Sequence, residues 1–211
     1  MIHGDPQSWA SRFRSVDQRL MERIPDVWPK CQSLLTDQPD EDTITENLVN
    51  LLSKDAVVRR LGYLEYQYYS FKETETGAIT DTGRIDFVLV LDNDRSVYVA
   101  YECKRLNVVR SSGRLSQATD YVDEGIMRFV TEQYSESLPF ACMLGYVMDG
   151  DVKFAKTQVY RTIESKKGDL GLKSGPVEVS IISIIERFTT THARTGKKDI
   201  IEVRHGLLPF S

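Results

Sequence analysis

The stretch from residue 84 to residue 104 carries two carboxylates and an ammonium group at strand spacing. Arg84–Leu91 reads Arg-Ile-Asp-Phe-Val-Leu-Val-Leu, and Ser96–Lys104 reads Ser-Val-Tyr-Val-Ala-Tyr-Glu-Cys-Lys, with the turn cluster Asp92-Asn93-Asp94-Arg95 between them. Two apolar runs around such a cluster predict a β-hairpin. Opposed residues of an antiparallel pair have indices that sum to a constant. A turn centred near Asp94 makes that constant about 188, so Asp86 faces Glu102 and Arg84 faces Lys104. Alternation puts Glu102 and Lys104 on one face and Tyr101 and Cys103 on the other. Like charges roughly 5 Å apart repel, and an unpaired charge inside an apolar run is costly. A hard cation bridging Asp86 and Glu102 removes both penalties, since Mg²⁺ typically takes one or two protein carboxylates and keeps waters for phosphate oxygens. An adjacent lysine holds or activates a water, or stabilises developing charge. A surface ion pair between Glu102 and Lys104 at a strand end is the competing structural reading, and such a pair is worth little.

Asp86, followed after fifteen residues by Glu102-Cys103-Lys104, resembles the PD-(D/E)XK nuclease superfamily, whose members include restriction endonucleases. The family order of helix, strand meander, helix and strand matches about residues 43–148; Ile85 stands where the family name has proline. The resemblance implies a restriction endonuclease-like α/β core with a mixed sheet. It implies Mg²⁺, for which Mn²⁺ substitutes, held by Asp86, Glu102 and the backbone carbonyl of Cys103, with Lys104 as the catalytic lysine that positions or deprotonates water. It also implies nucleic acid, most simply DNA, as substrate, in restriction, antiviral defence or repair. One active centre cuts one strand, so double-strand cutting implies a homodimer.

Other residues carry two readings each. Family members often place a glutamate near the metal on the helix before the strands, which points to Glu46. Yet Thr43-Ile44-Thr45-Glu46 also fits a capping box, with Glu46 as its fourth residue. Gln117 and Tyr121 are spaced i, i+4 and project from one helix face. They resemble the Gln-x-x-x-Tyr motif that touches nucleic acid in some members; the alternative is a helix with a buried tyrosine. Arg84 is placed to touch a phosphate, and Arg105, Arg110 and Arg114 read equally as a phosphate-binding loop or a solvated one. His3, His192 and His205 have no mutual metal-ligand spacing, and neither a Walker loop nor a dinucleotide fingerprint is present.

The elements that must position these groups follow from periodicity. Apolar residues at helical spacing predict helices over 8–24, 43–60, 115–133 and 152–166. Strands are expected at 64–71, 84–91, 96–104 and 140–148, with a C-terminal pair, 177–188 and 200–208, forming a β-hairpin around 193–198. Residues 36–42 and 73–83 read as loops. The result is one α/β domain over residues 1–211, with an N-terminal helix and C-terminal strands added to the core.

With 211 residues and 41% hydrophobic content, the chain buries a core without staples. Three cysteines without short paired spacing argue against a zinc–cysteine site and for a reducing cytoplasm. No secretory signal or membrane-spanning run is read. The net charge of −4 is uneven: residues 1–105 hold 13 basic and 18 acidic groups, and the rest hold 14 and 13. That excludes a uniformly basic coat protein but suits an enzyme whose local patches meet phosphates. Two other classes stay open. A catalytically inactive nucleic-acid-binding or scaffold subunit on the same fold would show a broken triad. A small-molecule enzyme using the carboxylate pair would leave Lys104 without a role.

Overall fold

The computed structural model describes residues 9–73, 79–93, 95–195 and 199–210. Chain order is α1 (Ala10–Met21), α2 (Ile24–Ser33), α3 (Glu41–Leu52), α4 (Val58–Leu61), β1 (Tyr63–Glu73), β2 (Ile79–Val90), β3 (Tyr98–Leu106), β4 (Val108–Arg110) and β5 (Gly113–Leu115). Then come α5 (Ala118–Tyr121), a π-helical segment (Val122–Ile126), α6 (Met127–Val130), β6 (Phe140–Val147), α7 (Val152–Ser165), β7 (Leu172–Glu178), β8 (Glu186–Ala193) and β9 (Ile200–Pro209).

The main sheet has seven strands in the order β1-β2-β3-β6-β9-β8-β7. It is mixed: β3, β6 and β9 are parallel neighbours, and antiparallel strands flank them on both sides. Strands buried on both faces are expected to be continuously apolar, and every residue of β6, Phe-Ala-Cys-Met-Leu-Gly-Tyr-Val, is buried. One face of β6 meets the N-terminal helices. Phe140 stacks on Phe13 of α1, and Tyr146 stacks on Trp28 of α2 and hydrogen-bonds Thr45 of α3. The other face meets the helical run 118–130, where Met143 packs so close to Gly125 that a Cβ there would collide with its methyl. The parallel partners of β6 assign the faces of β3. Tyr101 and Cys103 lie on the α1–α3 side, and Glu102 and Lys104 lie on the 118–130 side.

The expected register holds where β2 and β3 pair, but the expected pairs Asp86–Glu102 and Arg84–Lys104 lie beyond the end of that ladder. Phe87 pairs with Tyr101, Val88 with Ala100, Leu89 with Val99 and Val90 with Tyr98, the register expected. Its expected turn centre, Asp94, lies outside the described residues, as does His3. Elsewhere the boundaries differ. The expected helix over 8–24 ends at Met21, and α2 follows it in a stretch for which the sequence predicts no element. Pro25 lies in the first turn of α2, where its missing N–H is not needed. The helix expected over 43–60 starts two residues earlier, stops at Leu52 and resumes as the short α4. The 73–83 loop is shorter than expected, because β2 begins at Ile79; residues 74–78 lie outside the described residues. The expected strand 177–188 is in fact two, β7 and β8, divided by residues 179–185. The C-terminal hairpin, β8 with β9, is present, but it is no appendage. β9 lies between β6 and β8, so the last residues complete the sheet.

Candidate active site

The β2–β3 ladder ends at Phe87–Tyr101, and Asp86 explains why. Its Oδ2 accepts the backbone N–H of Cys103 at 2.6 Å, so a carboxylate takes a donor that a strand carbonyl would otherwise take. Upstream, Gly83 has φ +136°. A Cβ there would meet Gln133 Nε2 at 2.8 Å and the Tyr134 ring at 3.0 Å. Gly83 closes the stretch 73–83 that the sequence predicts as a loop. Its structural role is to let the chain after α6 lie against β2, where the Tyr134 hydroxyl donates to the Arg84 carbonyl at 2.8 Å.

The cleft so formed, about 380 Å³, is lined by Asp86, Glu102, Lys104, Glu41, Arg84, Arg128 and Tyr134 among others. Lys104 Nζ donates to Glu102 Oε1 (3.0 Å), Glu41 Oε1 (2.9 Å) and the Cys103 carbonyl (2.8 Å). Glu41 Oε2 accepts the N–H of Arg105 at 2.9 Å. Arg128 Nη1 donates to Glu102 Oε1 and to the Tyr134 hydroxyl, both at 2.9 Å. Glu102 is fully buried, and its Oε2 has no hydrogen-bond partner. Asp86 is partly buried at the cleft wall.

Burial disfavours the charged form of a carboxyl group. It pushes Asp86 up to about 6, against the pull of Lys104 and the Cys103 N–H. Burial first, and Asp86 second, push Glu102 up to about 8 in spite of Lys104 and Arg128. Burial alone would lower Lys104, but Glu102, Glu41 and Asp86 outweigh it and hold the ammonium above the usual lysine range. The site thus holds negative charge at a desolvation cost that a bound cation would relieve.

The chain's residues fit a hard divalent cation on three counts. Two adjacent desolvated carboxylates are oxygen donors, Glu102 Oε2 lacks a partner, and the Cys103 carbonyl is turned to the same cleft, where Lys104 meets it. Among the described residues, no group of three or more His, Cys, Asp and Glu side chains could hold a metal ion. The remaining positions would fall to that carbonyl and water, as is usual for Mg²⁺.

The other sequence candidates are sorted by the packing. Asp40, not Thr43, caps α3: its side chain accepts the Thr43 N–H at 2.7 Å. The expected capping box is therefore absent, and Glu46 lies more than a turn inside the helix, exposed and outside the lining of the cleft. Glu41, in the first turn, is the glutamate of α3 that reaches Lys104. Arg84 lines the cleft and pairs with Asp42 at 3.5 Å, while the expected pairing with Lys104 is absent from the β2–β3 ladder. Arg105 and Gln117 line the adjoining cleft with Glu41 and Lys104, and the Arg105 guanidinium donates to the Pro39 carbonyl. Gln117 caps α5 in the left-handed region, φ 55°. Tyr121 is not a contact residue. It is fully buried, with its hydroxyl on His205 Nδ1 at 3.0 Å. Arg114 is bound to Asp149 and Asp151, so it ties the β4–β5 hairpin to the start of α7 instead of waiting for phosphate.

Sequence reasoning missed Glu41 and Arg128. The run Asp40-Glu41-Asp42-Thr43 offered an alternative helix start that would have placed Glu41 in the first turn. Arg128 carried no local signal except its i, i+4 spacing from Glu124, with which it pairs. The two glutamates of α3 can be told apart directly. Glu46→Gln is expected to leave both melting temperature and the Mg²⁺ dependence of any nucleic-acid cleavage unchanged. Glu41→Gln is expected to lower the cleavage rate several-fold, because Lys104 and the Arg105 N–H lose an anionic partner. A Mg²⁺ titration of rate beside melting curves checks both, and an effect confined to Glu46→Gln would reverse the assignment.

Comparison with protein-family models, with curated proteins and with solved structures finds no match. Fold and site together define an α/β protein with a seven-stranded mixed sheet and a pair of desolvated carboxylates beside a lysine. No helix of the described residues is long and apolar enough to cross a membrane.

Proposed function

We propose that the chain is a metal-dependent nuclease that hydrolyses phosphodiester bonds, with DNA as the expected substrate and Mg²⁺ as the cation. The observation that carries this reading is the junction of Asp86, Glu102 and Lys104. Two desolvated carboxylates lie side by side, one oxygen of Glu102 lacks a partner, and an ammonium is held 3.0 Å from the other oxygen. Asp86, Glu102 and the Cys103 carbonyl would hold the cation, which supplies positive charge against the phosphate oxygens. Asp86 is fixed for this by the Cys103 N–H, and Glu102 by Lys104 and Arg128. Lys104, held protonated by three carboxylates, acts as a cation that positions water or a phosphate oxygen. To deprotonate that water it would first have to lose the proton that these carboxylates hold on it. Arg128 adds a second cation, and the Tyr134 hydroxyl and ring hold it in place. Arg84, Arg105 and Gln117 at the rim are placed for the substrate backbone. A role in restriction, antiviral defence or repair belongs to the same proposal.

Incubation with plasmid, single-stranded DNA and RNA, with Mg²⁺ or Mn²⁺ and with EDTA, tests it. Cleavage that needs the metal supports the nuclease. Binding without cleavage under every metal condition would instead favour an inactive binding subunit.

A further inference from the structure

We propose that Tyr69 and Phe71 form a stacking platform for an unpaired nucleic-acid strand. Resting on the nuclease reading above, this makes single strands, or the splayed ends of a duplex, the substrate class of the cleft.

Tyr69 of β1 pairs directly with Arg84 of β2, so their side chains share one face of the sheet. Arg84 in turn lines the cleft beside Asp86. Tyr69 therefore adjoins the cleft wall, one strand out from Asp86. Both rings are open to solvent, Tyr69 at 52% and Phe71 at 61% exposure. The two rings lie together, with centroids 6.4 Å apart and planes 23° from parallel, and the ladder shifts register between Ser70 and Phe71. Two nearly parallel rings that the protein leaves uncovered present flat apolar faces of the kind on which bases stack. Stacking of this kind is tolerant of sequence because every base has such a face.

Charge beside the rings fits the same occupant. The Arg84 side chain is 41% exposed, and its ion pair with Asp42 is long, 3.5 Å, with Asp42 itself 56% exposed. An exposed pair of that kind contributes little, so the guanidinium is available to a phosphate. In a duplex, bases stack on each other and their faces are covered, so the platform can engage only a strand that is unpaired there.

The competing occupant is a second copy of this chain, added along the free edge of β1. The edge is poorly shaped for that. Gln67 has a left-handed backbone, φ 56°, and the shift at Ser70–Phe71 breaks the ladder again a few residues later in the exposed stretch. Such irregularities protect edge strands from pairing with another sheet.

The test is fluorescence anisotropy with labelled oligothymidine, oligouridine and a blunt duplex, in Ca²⁺ without Mg²⁺. Sedimentation and melting curves are recorded on the same samples. Wild type is expected to bind the single strands more tightly than the duplex. Tyr69→Ala/Phe71→Ala should weaken single-strand binding by about tenfold or more and leave melting unchanged, since stacked bases are lost and nothing buried is touched. Tyr69→Leu/Phe71→Leu, which keeps apolar bulk without a flat ring, should show the same loss. The two single strands tell whether the platform also separates DNA from RNA. Unchanged strand affinity in both variants overturns the platform, while metal-dependent cleavage by wild type would leave the nuclease reading standing. A dimer that becomes monomer in the variants with strand affinity intact also overturns it, and makes the pair a contact between copies. Wild type that neither binds nor cleaves any of the three overturns the platform and the nuclease reading together.

Discussion

Replacing Asp86 by Asn, or Glu102 by Gln, is expected to lower Mg²⁺-dependent cleavage by a factor on the order of 10³ or more, the loss of several kcal/mol of charge stabilisation at the phosphate. Both substitutions keep shape and an acceptor while removing the anion. In Asp86→Asn the amide oxygen can still accept the Cys103 N–H, and in Glu102→Gln it can still accept from Lys104 and Arg128. The stability effect separates the two. Asp86 is desolvated and its carboxylate repels Glu102, so Asp86→Asn should melt higher than wild type in EDTA. Glu102→Gln is expected to be close to neutral, because the relief of burying one anion is offset by weaker bonds from two cations. Mg²⁺ should raise the melting temperature of wild type and of neither variant, since a ligand stabilises only the state that binds it. Cleavage that persists undiminished in either variant, or in EDTA, would sink the two-carboxylate site.

Lys104→Met should lower cleavage by on the order of 10² or more while leaving the Mg²⁺-induced rise in melting temperature in place. Methionine keeps the apolar stem that passes between Glu41 and Glu102 but carries no charge. In EDTA the variant should be less stable than wild type, because Glu41, Glu102 and Asp86 are left without the ammonium that now offsets them. The readout that assigns the role is therefore rate measured on folded, Mg²⁺-loaded protein. A rate equal to wild type under those conditions would remove Lys104 from the mechanism and leave it as a structural ion-pair residue. Arg128→Met is a useful comparison in the same assay. Arg128 shares Glu102 Oε1 with Lys104 but approaches it from α6, so a smaller loss is expected if it chiefly holds Glu102 in place.

The hairpin register illustrates how far local pattern reaches. Turn chemistry at residues 92–95 and alternation in two apolar runs place Asp86, Glu102 and Lys104 together without reference to the rest of the chain, and the observed Phe87–Tyr101 pairing has that register. The α3 boundary shows a limit of the same method. Asp40 and Thr43 are both good capping residues three positions apart, and the choice between them moves the first-turn glutamate from position 46 to position 41. Helical spacing at Gln117 and Tyr121 gave a common face but not a common environment. Left-handed Gln117 ends up at the cleft rim, and Tyr121 points into the core against His205.

By itself the sequence determined the α/β class, the hairpin, its register and the three residues proposed to carry the chemistry, because turns, alternation and strand burial depend on neighbours a few residues apart or directly across a hairpin. Only the tertiary structure decided that Glu41 and Arg128 join them. These residues lie 63 and 26 positions from their partners Lys104 and Glu102, and no periodicity relates a helix end to a strand end over such separations. It also decided that β9 inserts beside β6 and that Tyr69 pairs with Arg84 of the cleft wall. Strand order is set by how the helices cover the two faces of the finished sheet, and that packing of distant segments leaves no mark on local pattern.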